Sequence, residues 1–182
     1  MKNTFLVVLV CVIVFCITSC HKSYTTFSPI DPYLLAHYNF QPGTYWIYRD
    51  SVTGKEDSII VYRNERDTFF EKGNSQYGEY IRMSTRIFRD SLIDTGLFHI
   101  DANTIRFDDG TERGYMFGYV NTTITADTTV LGMVYKNIKK YRYSEFHSFC
   151  SAEDIGILQY NTCDSALTNK YLKQLIRYRI IK

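Results

Sequence analysis

The chain has 182 residues, and its 21 Lys and Arg against 19 Asp and Glu give a formal net charge of +2 at pH 7. This length fits one domain, and the small net charge lacks the basic excess that is typical of nucleic-acid-binding proteins. With 45% hydrophobic residues, three prolines and ten glycines, the composition excludes a disordered chain and a collagen-like or Pro-rich filament.

The first twenty residues have the form of an export signal. Lys2 precedes an unbroken apolar run from Phe5 to Ile17, which is shorter than the roughly 20 residues that a membrane-spanning helix needs. The run ends in Ile17-Thr18-Ser19-Cys20, which resembles the lipobox of bacterial lipoproteins. That resemblance implies that residues 1–19 are removed as a signal peptide and that Cys20 carries the lipid, including a palmitate-type acyl chain. An ordinary cleaved signal, or an uncleaved anchor with a chance cysteine, is the alternative.

Residues 20–43 are predicted to form a lipidated tether and an entry segment to the domain. All three prolines of the chain lie here, and proline cannot donate a hydrogen bond to a sheet ladder, so a central strand is not expected. Asp31 followed by Pro32 is typical of the N-cap and the first residue of a short helical turn.

The remainder, residues 44–182, is predicted to fold as a single antiparallel all-β domain of about nine or ten strands, arranged as an open barrel or a sandwich. Residues 44–52 and 57–62 flank Thr53-Gly54-Lys55-Glu56, which indicates a hairpin. Residues 77–88 alternate between apolar and polar side chains, as expected of a strand with one buried face. Further strands are predicted at residues 97–101, 104–107, 113–120, 128–131, 134–146, 155–160 and 171–181. The apolar spacing of the last segment also fits a helix face, but its β-branched and aromatic end, IRYRII, favours a strand.

Three further segments extend the resemblance to bacterial lipoproteins over most of residues 20–182, the chain that would remain after signal removal. They are residues 40–48 (FQPGTYWIY), 135–138 (YKNI) and 154–158 (DIGIL). Together with the lipobox, they make the chain similar to small cell-envelope lipoproteins of Bacteroidota. The resemblance implies a lipid-anchored envelope protein, and it transfers no activity because these segments are markers of a fold. His21 after Cys20, and the lack of Asp and Glu in residues 21–30, favour the outer membrane with the domain facing the periplasm.

Catalytic and metal-binding motifs are missing from the sequence. The four histidines are at positions 21, 37, 99 and 147, and no two of them form a His-x-x-x-His pair. Nucleophile motifs and phosphate-binding glycine loops are also missing. We therefore expect no catalytic residues, no metal and no cofactor, and a non-catalytic binding or structural role in the envelope. The alternative is an envelope hydrolase that acts on a glycan or an ester through residues brought together only by folding.

Aromatic residues provide the candidate ligand platform of the sequence. Exposed aromatic stripes bind sugars or hydrophobic partners, so the expected ligand is a glycan, a lipid or a protein. A stripe at strand spacing also fits a packed core, and the solvent exposure of the rings decides between the two. The candidate residues are Trp46, Tyr48, Tyr115, Phe117 and Tyr119.

A short basic run, KNIKKYR at residues 136–142, lies among three tyrosines. It fits the solvated face of a strand, where lysine hinders edge-to-edge pairing. It also fits a contact with an anionic lipid headgroup or a sugar acid.

Five Asp-Ser or Asp-Thr triplets resemble the O-glycosylation sequon of Bacteroidota, in which Asp is followed by Ser or Thr and then by a small or aliphatic residue. Turn chemistry, which also favours Asp-Ser, is the alternative explanation. The modification requires the extracytoplasmic location predicted above. The candidate sites are Ser51, Ser58, Ser91, Thr128 and Ser165.

Two cysteines, Cys150 and Cys163, remain once the signal is removed and Cys20 is acylated. The envelope permits a disulfide between them. With a turn at residues 151–154, Cys150 pairs near Ile155, and Cys163 then lies about 26 Å away at 3.3 Å per residue. A disulfide needs two Cα atoms within about 7 Å, so we predict that the two thiols are not bonded to each other.

Overall fold

The computed structural model describes residues 26–71, 76–102, 104–108, 115–119, 124–125, 127–142, 148–163 and 170–182. These residues form one short helix and fourteen strands, so the predicted all-β class is confirmed. The elements are β1 (Thr26–Ser28), α1 (Pro32–Tyr38), β2 (Tyr45–Asp50), β3 (Glu56–Glu71), β4 (Gln76–Arg89), β5 (Leu92–Asp101), β6 (Thr104–Asp108), β7 (Tyr115–Tyr119), β8 (Ile124–Thr125), β9 (Thr128–Val130), β10 (Met133–Tyr135), β11 (Ile138–Arg142), β12 (Ser148–Ala152), β13 (Gly156–Cys163) and β14 (Lys170–Arg179).

Several predictions of strand length are wrong. The strand predicted at 97–101 begins at Leu92, and the strand predicted at 155–160 continues to Cys163. The strand predicted at 134–146 is divided into β10 and β11, because Asn137 has a φ of 54° and this left-handed backbone interrupts the strand. The strand predicted at 57–62 continues to Glu71. Its extension is rich in charged residues and is exposed over much of its length, so it lacks the alternation by which a half-buried strand is recognised.

One large sheet carries most of the chain. Its strand order is β7-β6-β5-β4-β3-β2-β14-β13-β12-β11-β8, and it curls into a half-barrel, which is the open-barrel form of the prediction. The last long strand, β14, pairs antiparallel with β2 and so joins the two halves of the sheet. Strands β9 and β10 form a separate hairpin. The predicted antiparallel order has one exception, since β1 runs parallel to the start of β4.

The interior of the curled sheet is filled by side chains of alternating residues. On β4, Ile81, Met83 and Ile87 are buried, as the predicted alternation of this strand requires. A void lined by Trp46, Phe98 and other core residues has a volume of only about 10 Å³, which is about the minimum that a single water needs. The interior is therefore a packed core rather than a lumen for a ligand.

Helix α1 closes one side of this core. Asp31 accepts a hydrogen bond from the backbone N–H of Tyr33 at 2.7 Å, and Pro32 occupies the first turn, so the predicted helical turn is confirmed. Leu34 and Tyr38 are buried under the helix, and the hydroxyl of Tyr38 lies 3.1 Å from the Oγ atom of Ser151.

The C-terminal residue secures the other end of α1. The Nζ atom of Lys182 donates to the backbone oxygens of Ala36 and His37 at 3.2 and 2.5 Å, and it lies 4.7 Å from the ring centre of Phe40. A cation at the C-terminus of a helix satisfies carbonyl groups that have no partner within the helix. The entry segment and the chain end thus stabilise each other.

A buried ion cluster links β2, β3 and β14. Lys173 places its Nζ atom 2.8 Å from Oδ2 of Asp57 and 3.4 Å from Oδ2 of Asp50. Arg89 also approaches Asp57, with its Nε atom 3.4 Å from the same oxygen. Both carboxylates are almost inaccessible to solvent. Buried charges persist only when they are paired, so this cluster depends on its cations.

Gly96 lies where β5 crosses closely over its neighbours. A Cβ atom at this position would be 2.5 Å from the backbone oxygen of Asp108, 2.6 Å from Cδ1 of Ile87 and 2.8 Å from Oγ1 of Thr85. These distances are far below van der Waals contact, and one of the atoms belongs to the backbone of β6. Only glycine fits this approach of the strands.

Candidate functional site

Trp46 and Tyr48 are not part of an exposed ligand platform, so this prediction is wrong for both residues. Their side chains retain only 3% and 1% of their exposure. The Nε1 atom of Trp46 donates to the backbone oxygen of Ile155 at 2.6 Å, and the hydroxyl of Tyr48 donates to that of Ile157 at 2.8 Å. Both residues thus tie β2 to the segment around β13 by burying their rings and satisfying their polar atoms.

Several candidate residues lie outside the part of the chain whose side chains are described. These are Cys20, Tyr115, Phe117, Tyr119 and Ser165. For the three aromatic residues the backbone is described, and it forms β7, which pairs antiparallel with β6.

The candidate O-glycosylation sites that are described differ in exposure. Ser51 and Ser91 are exposed in the turns that follow β2 and β4, whereas Ser58 and Thr128 are half-buried within β3 and β9. The carboxylate of Asp50 accepts hydrogen bonds from the backbone N–H groups of Val52 and Thr53, which is the turn chemistry that also favours Asp-Ser. Of the four, Ser51 and Ser91 are the more accessible to a glycosyltransferase.

The basic run is divided between solvent and core. Lys136 and Lys140 are exposed, as a solvated strand face predicts. Lys139 is buried, with its Nζ atom 3.7 Å from the ring centre of Tyr33, and the expectation of a solvated residue is wrong here. Burial lowers the pKa of Lys139, although the charges of Glu153 and Asp31 oppose this shift. Lys139 therefore serves the packing of α1 by a cation–π contact.

Cys150 has a free thiol that is buried beside a cavity of about 270 Å³ between β11 and β14. Burial raises its pKa to about 11, so the thiol is protonated and unreactive at neutral pH. Its register partner is Gln159 rather than a residue near Ile155, which corrects the predicted pairing. Cys163 is therefore four residues from that partner, about 13 Å along the strand, which is still too far for a disulfide.

A cleft of about 660 Å³ lies on the outer face of β4, β5 and β6. Its location follows from strand alternation, because Ile81 and Ile100 point into the core while their neighbours Arg82 and His99 point outward. The projecting end of the β3–β4 hairpin contributes Phe69 and Phe70, and β1 contributes Ser28. The long charged extension of β3 thus forms one wall of the cleft.

A buried carboxylate organises the polar floor of this cleft. Asp101 accepts a hydrogen bond from the hydroxyl of Thr104 and pairs with Arg106, whose Nη2 atom is 2.9 Å from Oδ2. His99 lies next to this pair, with Nδ1 at 3.9 Å from the same oxygen, which is too long for a hydrogen bond. The carboxylate is therefore neutralised within the fold, and Arg82 adds a positive charge at the exposed side.

The aromatic wall stands against His99. The ring centre of Tyr80 is 5.2 Å from that of His99 and 6.4 Å from that of Phe69. Burial lowers the pKa of His99 to about 4, since the nearby charge of Asp101 only partly opposes the desolvation. The imidazole is therefore neutral at pH 7, and it offers one N–H donor and one acceptor beside two guanidinium groups and two ring faces.

We expect the stability of the protein to fall between pH 6.5 and pH 4 because of His99. The pKa of this group is about 4 in the folded chain against 6.5 in the unfolded one, so the unfolded chain takes up a proton first. The contribution is up to about 3 kcal/mol, present above pH 6.5 and lost as the pH falls to 4. Urea unfolding of the wild type and of His99→Gln at pH 7 and pH 5 measures it. Equal losses in the two proteins would contradict this assignment.

No motif in the sequence indicates this cleft. Its residues are single polar positions at alternate places on three strands, and each looks like the wet face of an ordinary sheet. The sequence feature that pointed toward the cleft was His99, a histidine in a predicted strand two residues before Asp101. No group of three or more His, Cys, Asp or Glu suited to a metal ion occurs among the described residues.

Comparison with known proteins does not indicate a family or a function for this chain. No protein-family model matches the chain, and no curated protein or solved structure matches it significantly. Within the described residues, the helix content is limited to the seven residues of α1, and no helix is long and apolar enough to cross a membrane.

Proposed function

We propose that this chain is a lipid-anchored protein of the bacterial envelope that binds an acidic saccharide in the cleft over β4, β5 and β6. The observation that carries the proposal is the combination of two arginines with aromatic rings in a cleft of about 660 Å³. Guanidinium groups bind carboxylates through paired hydrogen bonds, and ring faces stack on the apolar faces of sugars. A charged sugar needs both kinds of contact.

The charges of the cleft favour an anionic ligand. Asp101 is already paired with Arg106 and hydrogen-bonded to Thr104, so it presents little free negative charge. His99 is neutral at pH 7 because its pKa is lowered to about 4. Arg82 is exposed at the edge of the site and is the group best placed to meet a carboxylate of the ligand.

Substitution of Arg82 tests the binding site. We expect Arg82→Gln to weaken binding of uronic-acid or sialic-acid oligosaccharides about tenfold, since a charge-assisted hydrogen bond is lost. The measurement is a glycan array carrying acidic and neutral oligosaccharides, followed by calorimetric titration with each acidic glycan that binds. Arg86→Gln is the matched control, because Arg86 is also exposed on β4 but lies 5.0 Å over the ring of Tyr62, outside the cleft.

The same measurement separates binding from catalysis. A binding protein leaves the oligosaccharides intact, and equal binding by Arg82→Gln and the wild type would contradict the proposed site. Release of shorter products, abolished by His99→Gln, would instead establish the alternative, an envelope hydrolase. In that case His99 would be a residue of the cleft that can accept a proton.

The proposed anchor is the lipid on Cys20, and the proposed location is the outer membrane with the domain in the periplasm. The lipobox at residues 17–20 supports the anchor, and the lack of acidic residues in 21–30 supports the location. We expect the intact mass of protein purified from its own membranes to fit a chain that begins at Cys20 with added acyl groups. A bare chain that starts at Met1 would contradict the anchor.

We also expect the same mass measurement to show added hexose-type masses on the serines, and these masses should fall in the variants Ser51→Ala and Ser91→Ala.

A further inference from the structure

The projecting end of the β3–β4 hairpin carries a row of three exposed aromatic rings. Phe27 of β1 and Phe70 of β3 are both register partners of Tyr77 on β4, so the three residues lie side by side across three strands. Their exposed fractions are 52%, 46% and 41%, and the rings of Phe27 and Tyr77 have their centres 5.4 Å apart. We name Phe27, Phe70 and Tyr77 the aromatic row.

The direction of β1 places the proposed anchor at this same end of the molecule. Because β1 runs parallel to β4 and Thr26 pairs with Gln76, the chain joins the domain beside the start of β4. Five residues lie between Cys20 and Thr26, so six Cα–Cα steps connect the two positions. An extended chain of that length spans at most about 22 Å, so an acyl group on Cys20 holds the row close to the bilayer.

We propose that the aromatic row lies in the lipid headgroup region and fixes the orientation of the domain on the membrane. This inference rests on the proposed acylation of Cys20. Aromatic rings prefer the boundary between hydrocarbon and water, where an apolar ring and a polar group such as the hydroxyl of Tyr77 are both accommodated. The row adds a second apolar contact with the membrane to the one that the acyl chains provide.

Charge does not explain attraction of this end to a membrane. Residues 63–79, which make up this end of the hairpin, contain three Lys and Arg and four Asp and Glu. Arg66 is also paired with Glu79 at 2.8 Å. A near-neutral surface gains little from anionic lipids, so the contact is apolar and insensitive to salt.

The opposite end of β4 provides an internal comparison. Leu92 and Ile93, at the start of β5, are more exposed than any ring of the aromatic row, but they are aliphatic. Between Gln76 and Arg89, β4 extends over about 43 Å at 3.3 Å per residue. Leu92 is therefore held well away from a bilayer that contacts Phe27.

Fluorescence quenching by brominated lipids tests this orientation. The acylated chain is extracted from its own membrane and reconstituted into phosphatidylethanolamine–phosphatidylglycerol vesicles that contain brominated acyl chains. The variants are Phe27→Trp, Tyr77→Trp and the control Leu92→Trp, against the wild type in which Trp46 is buried. We expect about twofold quenching for the first two variants, stronger with shallow than with deep bromines, and none for the control or the wild type.

The salt dependence of quenching, the comparison of the variants and the mass of the chain distinguish the possible outcomes. Quenching that persists from about 0.1 to 1 M NaCl supports an apolar contact. Equal quenching of Phe27→Trp and Leu92→Trp, or none in either on a chain whose mass shows the acyl groups, overturns the aromatic row while the anchor stands. A chain whose mass shows no acyl groups overturns both proposals together. If Phe27→Trp disturbs the pairing of β1 with β4, the quenching of Tyr77→Trp tests the same membrane contact.

Discussion

Replacing Lys173 by methionine is expected to lower the free energy of unfolding by about 3–5 kcal/mol, because it leaves buried carboxylates without their main cation. Lys173 lies 2.8 Å from Asp57 and 3.4 Å from Asp50, and both acids are inaccessible to solvent. Arg89 remains beside Asp57 in the variant, whereas Lys173 is the cation that pairs with Asp50 among the described residues. Urea unfolding at pH 7 measures the loss.

The pH dependence of this variant identifies the cause. In the wild type, burial alone would raise the pKa of Asp50, but the backbone N–H groups of Thr53 and Val52 and the charge of Lys173 together lower it below 3.8. Asp50 thus stabilises the fold above pH 3.8, and this stability is lost as the pH falls through its lower folded pKa. Without Lys173 we expect the pKa of Asp50 to rise, so the difference between variant and wild type shrinks as the pH falls from 7 toward 4.

Lys55→Met is the matched control for Lys173→Met. Lys55 makes a 2.7 Å ion pair with Asp90, but both side chains are more than half exposed. Solvent-exposed pairs contribute little, so we expect no comparable loss. A loss that is the same for both variants, or one that does not depend on pH, would contradict the role of the buried cluster.

The second large effect is expected at Gly96. Gly96→Ala places a methyl group 2.5 Å from the backbone oxygen of Asp108, and backbone cannot move aside as a side-chain end does. We expect a loss of about 3 kcal/mol in the free energy of unfolding, at the upper end of overpacking effects. The clash is expected to separate β5 from β6, and these strands carry the polar floor of the cleft. We therefore expect Gly96→Ala to lose the proposed glycan binding as well.

Gly132→Asn controls for the general effect of replacing a glycine. A Cβ atom at Gly132 meets no atom within 4 Å, and asparagine tolerates the positive φ of 84° at this position. We therefore expect Gly132→Asn to unfold at nearly the wild-type urea concentration. Equal destabilisation by Gly96→Ala and Gly132→Asn would show that the strand approach at Gly96 is not the reason.

Local patterns predicted the features of this fold that depend on neighbouring residues. Alternation along β4 located the buried face correctly, because a strand has a side-chain period of two. Asp31 and Pro32 predicted α1 because a helix start is set within a few residues. The hairpin between β2 and β3 followed from its turn residues in the same way.

Features that depend on distant residues could not be predicted. Trp46 is buried because Ile155 and Phe98 contact it from segments that are far from it in the sequence. Lys139 is buried because Tyr33, from the other end of the chain, lies beneath its ammonium group. In the sequence of a single strand, a lysine that faces solvent cannot be told from a lysine that packs on an aromatic ring. Only the tertiary fold distinguishes the two cases.

The pairing of β2 with β14 has a consequence for the order in which the chain can fold. The strands from β2 to β7 pair with their sequence neighbours, so that half of the sheet can form as soon as it emerges. The free edge of β2 then stays open until β14, near the end of the chain, becomes available. An open strand edge is a site of aggregation, so a chain that stops before β14 is expected to be insoluble rather than merely less stable.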